Sequence, residues 1–430
     1  MIFLSWLICL LSAYLLLKRN VFDFFSLSVV MFWVYSIPLL IGECGYAIHG
    51  QWIYENVNNI VYLYYFVFIL IILLMMIYYD FFIRKNRCLD LNFFNGIASI
   101  TTSFLSILVF VTFIAILANN NELILGDKMY IAENFISARV YILFEFIVVF
   151  FAVISFNNKK YISFLMIFVI ILWFSFIGDR TPLVFFIIIE LIIMLNRTNE
   201  ILSKKIFTRK VMIGLFILFM YAFVYKQISA MIQALAISNA WDSLLHGNVF
   251  LKSIMNYEGM VTVQVFNSIA SHSHQIHYNF INFFDNFISV ILPINLQGNV
   301  EGFNSFFQPI LFPDVGYGMA NNIIAQFYIL GGGGGVILFS FLFSCSVMVA
   351  SYLLLSGVRV KIDGYLIPEK LRLVILFGAT IFSYYYFRND FNYLINIEKR
   401  ILFIVIAIIL FDYFVRVYCY EKNSSFNNKP

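Results

Sequence analysis

Four arginines in this sequence, Arg139, Arg180, Arg388 and Arg400, stand where long apolar runs begin or end. A guanidinium in such a place does one chemistry well, gripping a phosphate or carboxylate through two parallel hydrogen bonds. Arg180 is the best placed. In Gly178-Asp179-Arg180-Thr181-Pro182 the Asp suits a helix cap and the Pro its first turn, so the guanidinium stands beside free helix N–H groups, an arrangement that attracts anions. The plainer role for any of the four is to anchor a helix end at a membrane interface. Groups that can take a proton lie elsewhere. His272 and His274 belong to the string SHSHQIH, and imidazole titrates near neutral pH. A metal is the weaker reading of that string, because no cysteine or carboxylate pair stands nearby, and solvated loop histidines are the plain one. Glu258 in NYEGM and Asp314 in FPDVGYG can each act as a base, hold a hydroxyl group or simply be solvated.

The elements that must position these residues follow from composition. A chain of 430 residues that is 62% hydrophobic, 20% aromatic and 12% charged, with a mean hydropathy of +0.91, is not a soluble globular protein, whose charged fraction is about twice as large. Its net charge of +4 is no argument for nucleic acid, because the basic residues are spread over short loops and form no stripe. Apolar runs long enough to cross a hydrocarbon core of about 30 Å recur about eleven times. They lie near 2–17, 22–42, 58–79, 95–118, 138–156, 161–178, 181–195, 211–233, 336–355, 371–387 and 401–418, an all-α polytopic membrane protein. The first has no basic stretch before it and is followed by Lys18-Arg19, so it reads as a span and not as a cleaved signal peptide. With these spans, 19 of the 27 Lys and Arg residues fall on one side of the membrane and 8 on the other. The richer side is cytoplasmic, which puts the C-terminus inside and all four arginines outside. Of the five cysteines only Cys44 lies near the outer face, so no disulfide framework is expected.

The longest stretch between spans, 234–335, carries four of the five histidines, three of the seven prolines and the closing run GYGMANNIIAQFYILGGGGG. It divides the chain into a bundle of about eight spans at 1–233, an extracytoplasmic substrate-binding domain at 234–335, and about three spans with a short tail at 336–430. Within it, 241–269 is amphipathic enough for a helix, and the aromatic segment 278–294 suits the membrane interface. A short helix over 321–330 must then break at five consecutive glycines, each of which costs a helix interior about 1 kcal/mol. Glu145 and Glu190 lie inside apolar runs, where they need buried partners. There is neither a P-loop nor a Gly-x-Gly-x-x-Gly after a strand. An enzyme facing outward has no nucleotide sugar to use, so its substrate must arrive activated, and a lipid-linked pyrophosphate is the obvious candidate. Trp241, Tyr257 and Tyr317 can stack on sugar faces or anchor at the interface.

The layout resembles the O-antigen polymerases, the Wzy family of bacterial oligosaccharide repeat-unit polymerases. The resemblance is carried by Gly178-Asp179-Arg180 opening a span, the one dominant outer loop late in the chain, its closing segment from Gly316-Tyr317-Gly318 through Asn322 and Gln326 to Tyr328 and the glycines, and Arg388 in YYYFRNDF. Many members carry a Glu where Gln326 stands. The resemblance implies a helical fold similar to the lipid-sugar-dependent glycosyltransferases and O-antigen ligases, in the bacterial inner membrane. It also implies an enzyme that moves a growing glycan from undecaprenyl pyrophosphate to the next undecaprenyl-linked repeat unit, with no metal or other cofactor. A flippase and a chain-length regulator of the same pathway are the implied protein partners. Arg180 and Arg388 match the arginines that bind the pyrophosphates, with Asp179, Tyr317 and Gln326 beside them in the motifs, while Arg139 and Arg400 are added from topology. Glu258, His272, His274 and Asp314 remain the candidates for the base. Two rivals share the layout in part: an O-antigen ligase acting on lipid A core, and a flippase for the lipid-linked unit. The flippase needs two similar halves around a cavity, and the halves of this chain have unlike loops.

Overall fold

A computed structural model describes residues 2–48, 51–83, 99–120, 122–125, 130–131, 134–135, 138–198, 200–209, 211–215, 257–292, 302–315, 318–356 and 367–427. Trp241, Tyr317, the side chain of Arg139 and most of the eighth apolar run lie outside them. The described chain is helical but for one hairpin. Its helices are α1 (Ile2–Leu17), α2 (Phe24–Ile41), α3 (Asn59–Tyr78), α4 (Ser99–Asn119), α5 (Ala138–Asn157), α6 (Tyr161–Phe176), α7 (Thr181–Leu195), α8 (Leu202–Ile206), α9 (Glu258–His272), α10 (Phe280–Ile291), α11 (Asn304–Leu311), α12 (Ile323–Ser356), α13 (Ile367–Tyr385) and α14 (Phe391–Asn427). A single helical turn, Glu122–Leu125, lies between α4 and α5. Five helical stretches, Phe24–Ile41, Asn59–Ile83, Ile100–Asn119, Val140–Asn157 and Ile323–Leu355, are long and apolar enough to cross a bilayer, and α1, α6, α7, α10 and the Leu371–Tyr385 part of α13 are shorter apolar helices. This is a helical membrane protein.

The helices pack in two groups that meet at the candidate site. In one, α4, α5, α6 and α7 lie against one another; in the other, α2, α3, α9, α12 and α13 do. Contacts of α7 with α13 and of α14 with α5 join them. A buried aromatic seam fills the second group. Phe387, just past α13, lies 5.8 Å from Tyr65 with the rings parallel within 2°, and within 5.8 Å of Phe32, Tyr35 and Phe68. The hairpin, β1 (Glu43–Ile48) and β2 (Gln51–Asn56), is antiparallel and follows α2 directly. Composition did not announce it. It packs on α9, where Gln264 donates to Glu55 Oε2 at 2.7 Å and Asn267 Oδ1 accepts from the Asn58 backbone at 2.7 Å.

The glycine run breaks the helix as its composition requires. Gly331 and Gly332 are non-helical, and Gly332, at φ 56° and ψ −141°, occupies a conformation that only glycine adopts readily. The two arms of α12 fold back on each other so far that Phe327 stacks on Phe339 at 4.5 Å. A Cβ at Gly335 would stand 2.2 Å from the Phe327 carbonyl oxygen, whereas one at Gly334 would meet nothing within 4 Å. Gly335→Ala is therefore expected to lower stability by about 1–3 kcal/mol, the usual cost of forcing a methyl into closed packing. Gly334→Ala should be close to neutral, and thermal melts of the two variants in one detergent check the contrast.

The expected helix over 241–269 is described only from its end, as α9. The aromatic segment 278–294 forms α10, opened by a capping box of Asn279 and Asn282. One side of α10 sets Phe283 and Phe287 against Phe391. The other exposes Phe280, Ile281, Phe284, Ile288 and Ile291, as an element lying in an apolar interface would.

Candidate functional site

Three local structures bring charged side chains to one place. At the start of α7 the chain turns through Gly178, at φ 92°, into Asp179, which is fully buried. Asp179 Oδ1 accepts from the Thr181 backbone N–H at 3.1 Å, and its Oδ2 accepts from the Tyr141 hydroxyl at 2.8 Å. Asp179 stands one residue ahead of the cap position, which Arg180 holds, and its bond to Thr181 satisfies a free N–H of the first turn, with Pro182 beside it. Both of its carboxylate oxygens are engaged inside the protein. Asp179 positions its neighbour, Arg180, whose side chain stays 33% exposed.

Arg388 follows the aromatic end of α13. Phe387 wedges into the seam, the Tyr386 hydroxyl donates to the Ser28 carbonyl at 2.7 Å, and Tyr384 and Tyr385 both pack on Phe185 of α7. The guanidinium lies over the Tyr385 ring, 5.7 Å from its centre, as a cation over a π face prefers.

Glu258 opens α9, and its place is set from α2. Pro38 stands inside α2 and has no N–H, so the carbonyl of Val34 lacks its helical donor. The Tyr257 hydroxyl supplies the bond, at 2.8 Å. Its ring lies against Gly259, where a Cβ would come within 2.4 Å of it. The Tyr257 hydroxyl is thereby pinned midway along α2, about 12 Å from the Gly42 end at about 1.5 Å per residue, and Glu258 is the next residue.

The three side chains meet there. Glu258 Oε1 is 2.5 Å from Arg388 Nε, and Glu258 Oε2 is 3.9 Å from Arg180 Nη2. The carboxylate is 25% exposed and the Arg388 side chain 37%, so the cluster is open to small molecules. Tyr35 of α2 and Tyr384 of α13 border it, both within electrostatic reach of Arg180, Arg388 and Glu258. Burial works against the Arg388 charge, but Glu258 and the tyrosines more than offset it and raise its pKa above the ordinary value. Two guanidinium groups converge on one carboxylate, an arrangement suited to holding a larger anion beside a proton acceptor.

The remaining sequence candidates fall in other places. Arg400 shares the surroundings of Tyr393 with Arg388, Glu145 and Asp390, so it borders the same region from α14. Gln326 is fully buried; it donates to the Tyr278 hydroxyl at 2.8 Å and accepts from the Phe391 N–H at 2.9 Å. Its amide ties the start of α14 to the chain before α10. His272 and His274 are exposed, and His272 lies at the far end of α9, about 20 Å from Glu258 by the helical rise. Asp314 is exposed between α11 and α12. The structure thus brings Glu258 to the arginines. Glu190, expected to need a partner, accepts from Asn157 at 2.6 Å.

Sequence reasoning passed over Tyr35, Tyr384 and Asp390. Asp390 caps α14 through the Tyr393 N–H at 2.7 Å and accepts from Asn321 at 3.0 Å and the Phe303 N–H at 3.3 Å. Burial raises its pKa, and its backbone hydrogen bonds pull it back. Its signal was legible as Asp390 directly before an apolar run; nothing local marks the two tyrosines.

Compared with protein-family models, with curated proteins and with solved structures, the chain matches none. What the site does must be argued from the Arg180–Glu258–Arg388 cluster itself.

Proposed function

We propose that the chain is a glycosyltransferase that polymerises undecaprenyl-pyrophosphate-linked oligosaccharide repeat units into O-antigen or a related surface polysaccharide. In this reading it crosses the bacterial inner membrane about eleven times, with its C-terminus in the cytoplasm and residues 234–335 periplasmic. The single observation that carries it is the meeting of Arg180, Arg388 and Glu258, from three distant parts of the chain. By the distribution of basic residues the Gly42 end of α2 is the outer one.

The chemistry needs few groups. The acceptor hydroxyl oxygen bonds to the anomeric carbon of the donor, and the bond from that carbon to the pyrophosphate oxygen breaks. The departing electron pair stays on the pyrophosphate, where Arg180 and Arg388 stabilise the growing charge. The hydroxyl proton passes to Glu258. Tyr35 and Tyr384 border the cluster and present hydroxyl groups to sugar or phosphate. Arg400 extends the positive region toward α14.

The test is the surface lipopolysaccharide of a deletion strain run beside strains complemented with wild type and with Arg180→Ala. The expected result is a single-repeat band in the deletion and in Arg180→Ala, with the ladder restored by wild type alone. A bare core in the deletion would instead indicate a ligase or flippase. An unchanged ladder would remove lipopolysaccharide as the product.

A further inference from the structure

Glu258 is itself an anion seated between two guanidinium groups. Its Oε1 lies 2.5 Å from Arg388 Nε, and its Oε2 lies 3.9 Å from Arg180 Nη2. The first is a close ion pair and the second a looser electrostatic contact. We propose that Glu258 is a built-in competitor for the substrate pyrophosphate, so that the donor frees the base by displacing it from the arginines. This rests on the reading of Arg180 and Arg388 as the phosphate grip.

The physical argument has three steps. A carboxylate drawn against two guanidinium groups is not aimed at a hydroxyl proton, so Glu258 as placed is poorly disposed to act. A pyrophosphate carries more charge and more acceptor oxygens than one carboxylate and takes both guanidinium forks. The displaced carboxylate does not leave the site, because the Tyr257 hydroxyl on the Val34 carbonyl, at 2.8 Å, holds the start of α9 in place; only the Glu258 side chain turns. Donor binding then precedes proton transfer in every cycle, and no base is presented to acceptor or water before a donor is seated.

The inference makes binding and turnover move in opposite directions. In the purified full chain, with inorganic pyrophosphate as probe, Glu258→Gln is expected to bind about five- to tenfold more tightly than wild type, since the occupied fraction of the grip is released. Glycosyl transfer by the same variant should fall at least about 100-fold. Glu258→Asp, which withdraws the carboxylate by one methylene, should bind between the two. Asp285→Asn, which removes an exposed acid on α10, should bind as wild type does. In wild type, carbodiimide labelling of Glu258, read by mass spectrometry, should rise severalfold when pyrophosphate is added. Equal or weaker binding by Glu258→Gln, the same gain in Asp285→Asn, or labelling that does not rise overturns the competitor role and leaves the phosphate grip standing. If neither wild type nor any of these variants binds pyrophosphate, the phosphate grip fails and this inference fails with it.

Discussion

Arg388→Ala is expected to lower glycosyl transfer about 10²–10³-fold, the usual cost of removing one preorganised donor to a departing charge, while the protein still folds and purifies. The loss falls on chemistry for two reasons. The Arg388 side chain is 37% exposed, so its removal opens no sealed cavity. Its main partner, Glu258, is 25% exposed and becomes solvated when unpaired instead of being stranded in hydrocarbon. Arg388→Lys should recover little of the loss. The contact to Glu258 runs through Nε, and phosphate recognition uses the planar fork; an ammonium keeps the charge and loses both geometries. Polymerisation of lipid-linked repeat units by purified protein, with the surface ladder of complemented cells as a second reading, checks both variants. Wild-type rates in Arg388→Ala at equal protein level would remove this residue from the mechanism.

Arg19→Ala is expected to do the reverse, destroying the fold without touching the site. The Arg19 side chain is wholly buried between α1, α2 and the end of α3. It donates to Asp23 from Nη1 at 2.8 Å and Nη2 at 2.9 Å, to Asp80 from Nε at 2.7 Å and Nη2 at 2.9 Å, and to Ser26 Oγ at 2.7 Å. Asp23 is fully buried and the Asp80 side chain 7% exposed. Alanine leaves two carboxylates in a place that excludes water, and breaking a buried pair in this way costs about 3–5 kcal/mol. Folded protein should not accumulate in the membrane. Arg19→Lys should rescue it only in part, because one ammonium cannot serve both carboxylates through parallel bonds. Normal accumulation of Arg19→Ala, with an unchanged melting temperature in detergent, would contradict this account.

The contrast between the two arginines could not be drawn from their local sequence. Each stands at the edge of an apolar run, and by that criterion both are interfacial anchors. What differs is which carboxylates the fold carries to them: two sealed ones for Arg19, one accessible one for Arg388.

The sequence alone determined the features that depend on local physics. Runs of apolar residues make helices that belong in a membrane because each helix satisfies its own backbone hydrogen bonds. Five glycines break α12 because no side chain opposes non-helical angles there. The start of α7 was legible because the bond of Asp179 to Thr181 and the place of Pro182 involve only nearby residues, and that made Arg180 a candidate. Only the tertiary structure decided the rest. Nothing local set Glu258 apart from His272, His274 and Asp314; its place beside the arginines depends on Tyr257 meeting the Val34 carbonyl that Pro38 leaves free, an association of residues 223 positions apart. The structural bonds of Asp179 to Tyr141 and of Gln326 to Tyr278 and Phe391 likewise join residues far apart in the chain. The β1–β2 hairpin, the tyrosines beside the cluster and the meeting of Arg180 with Arg388 all depend on which helix faces which. That is settled by aromatic packing and hydrogen bonds between distant segments, and no local pattern records it.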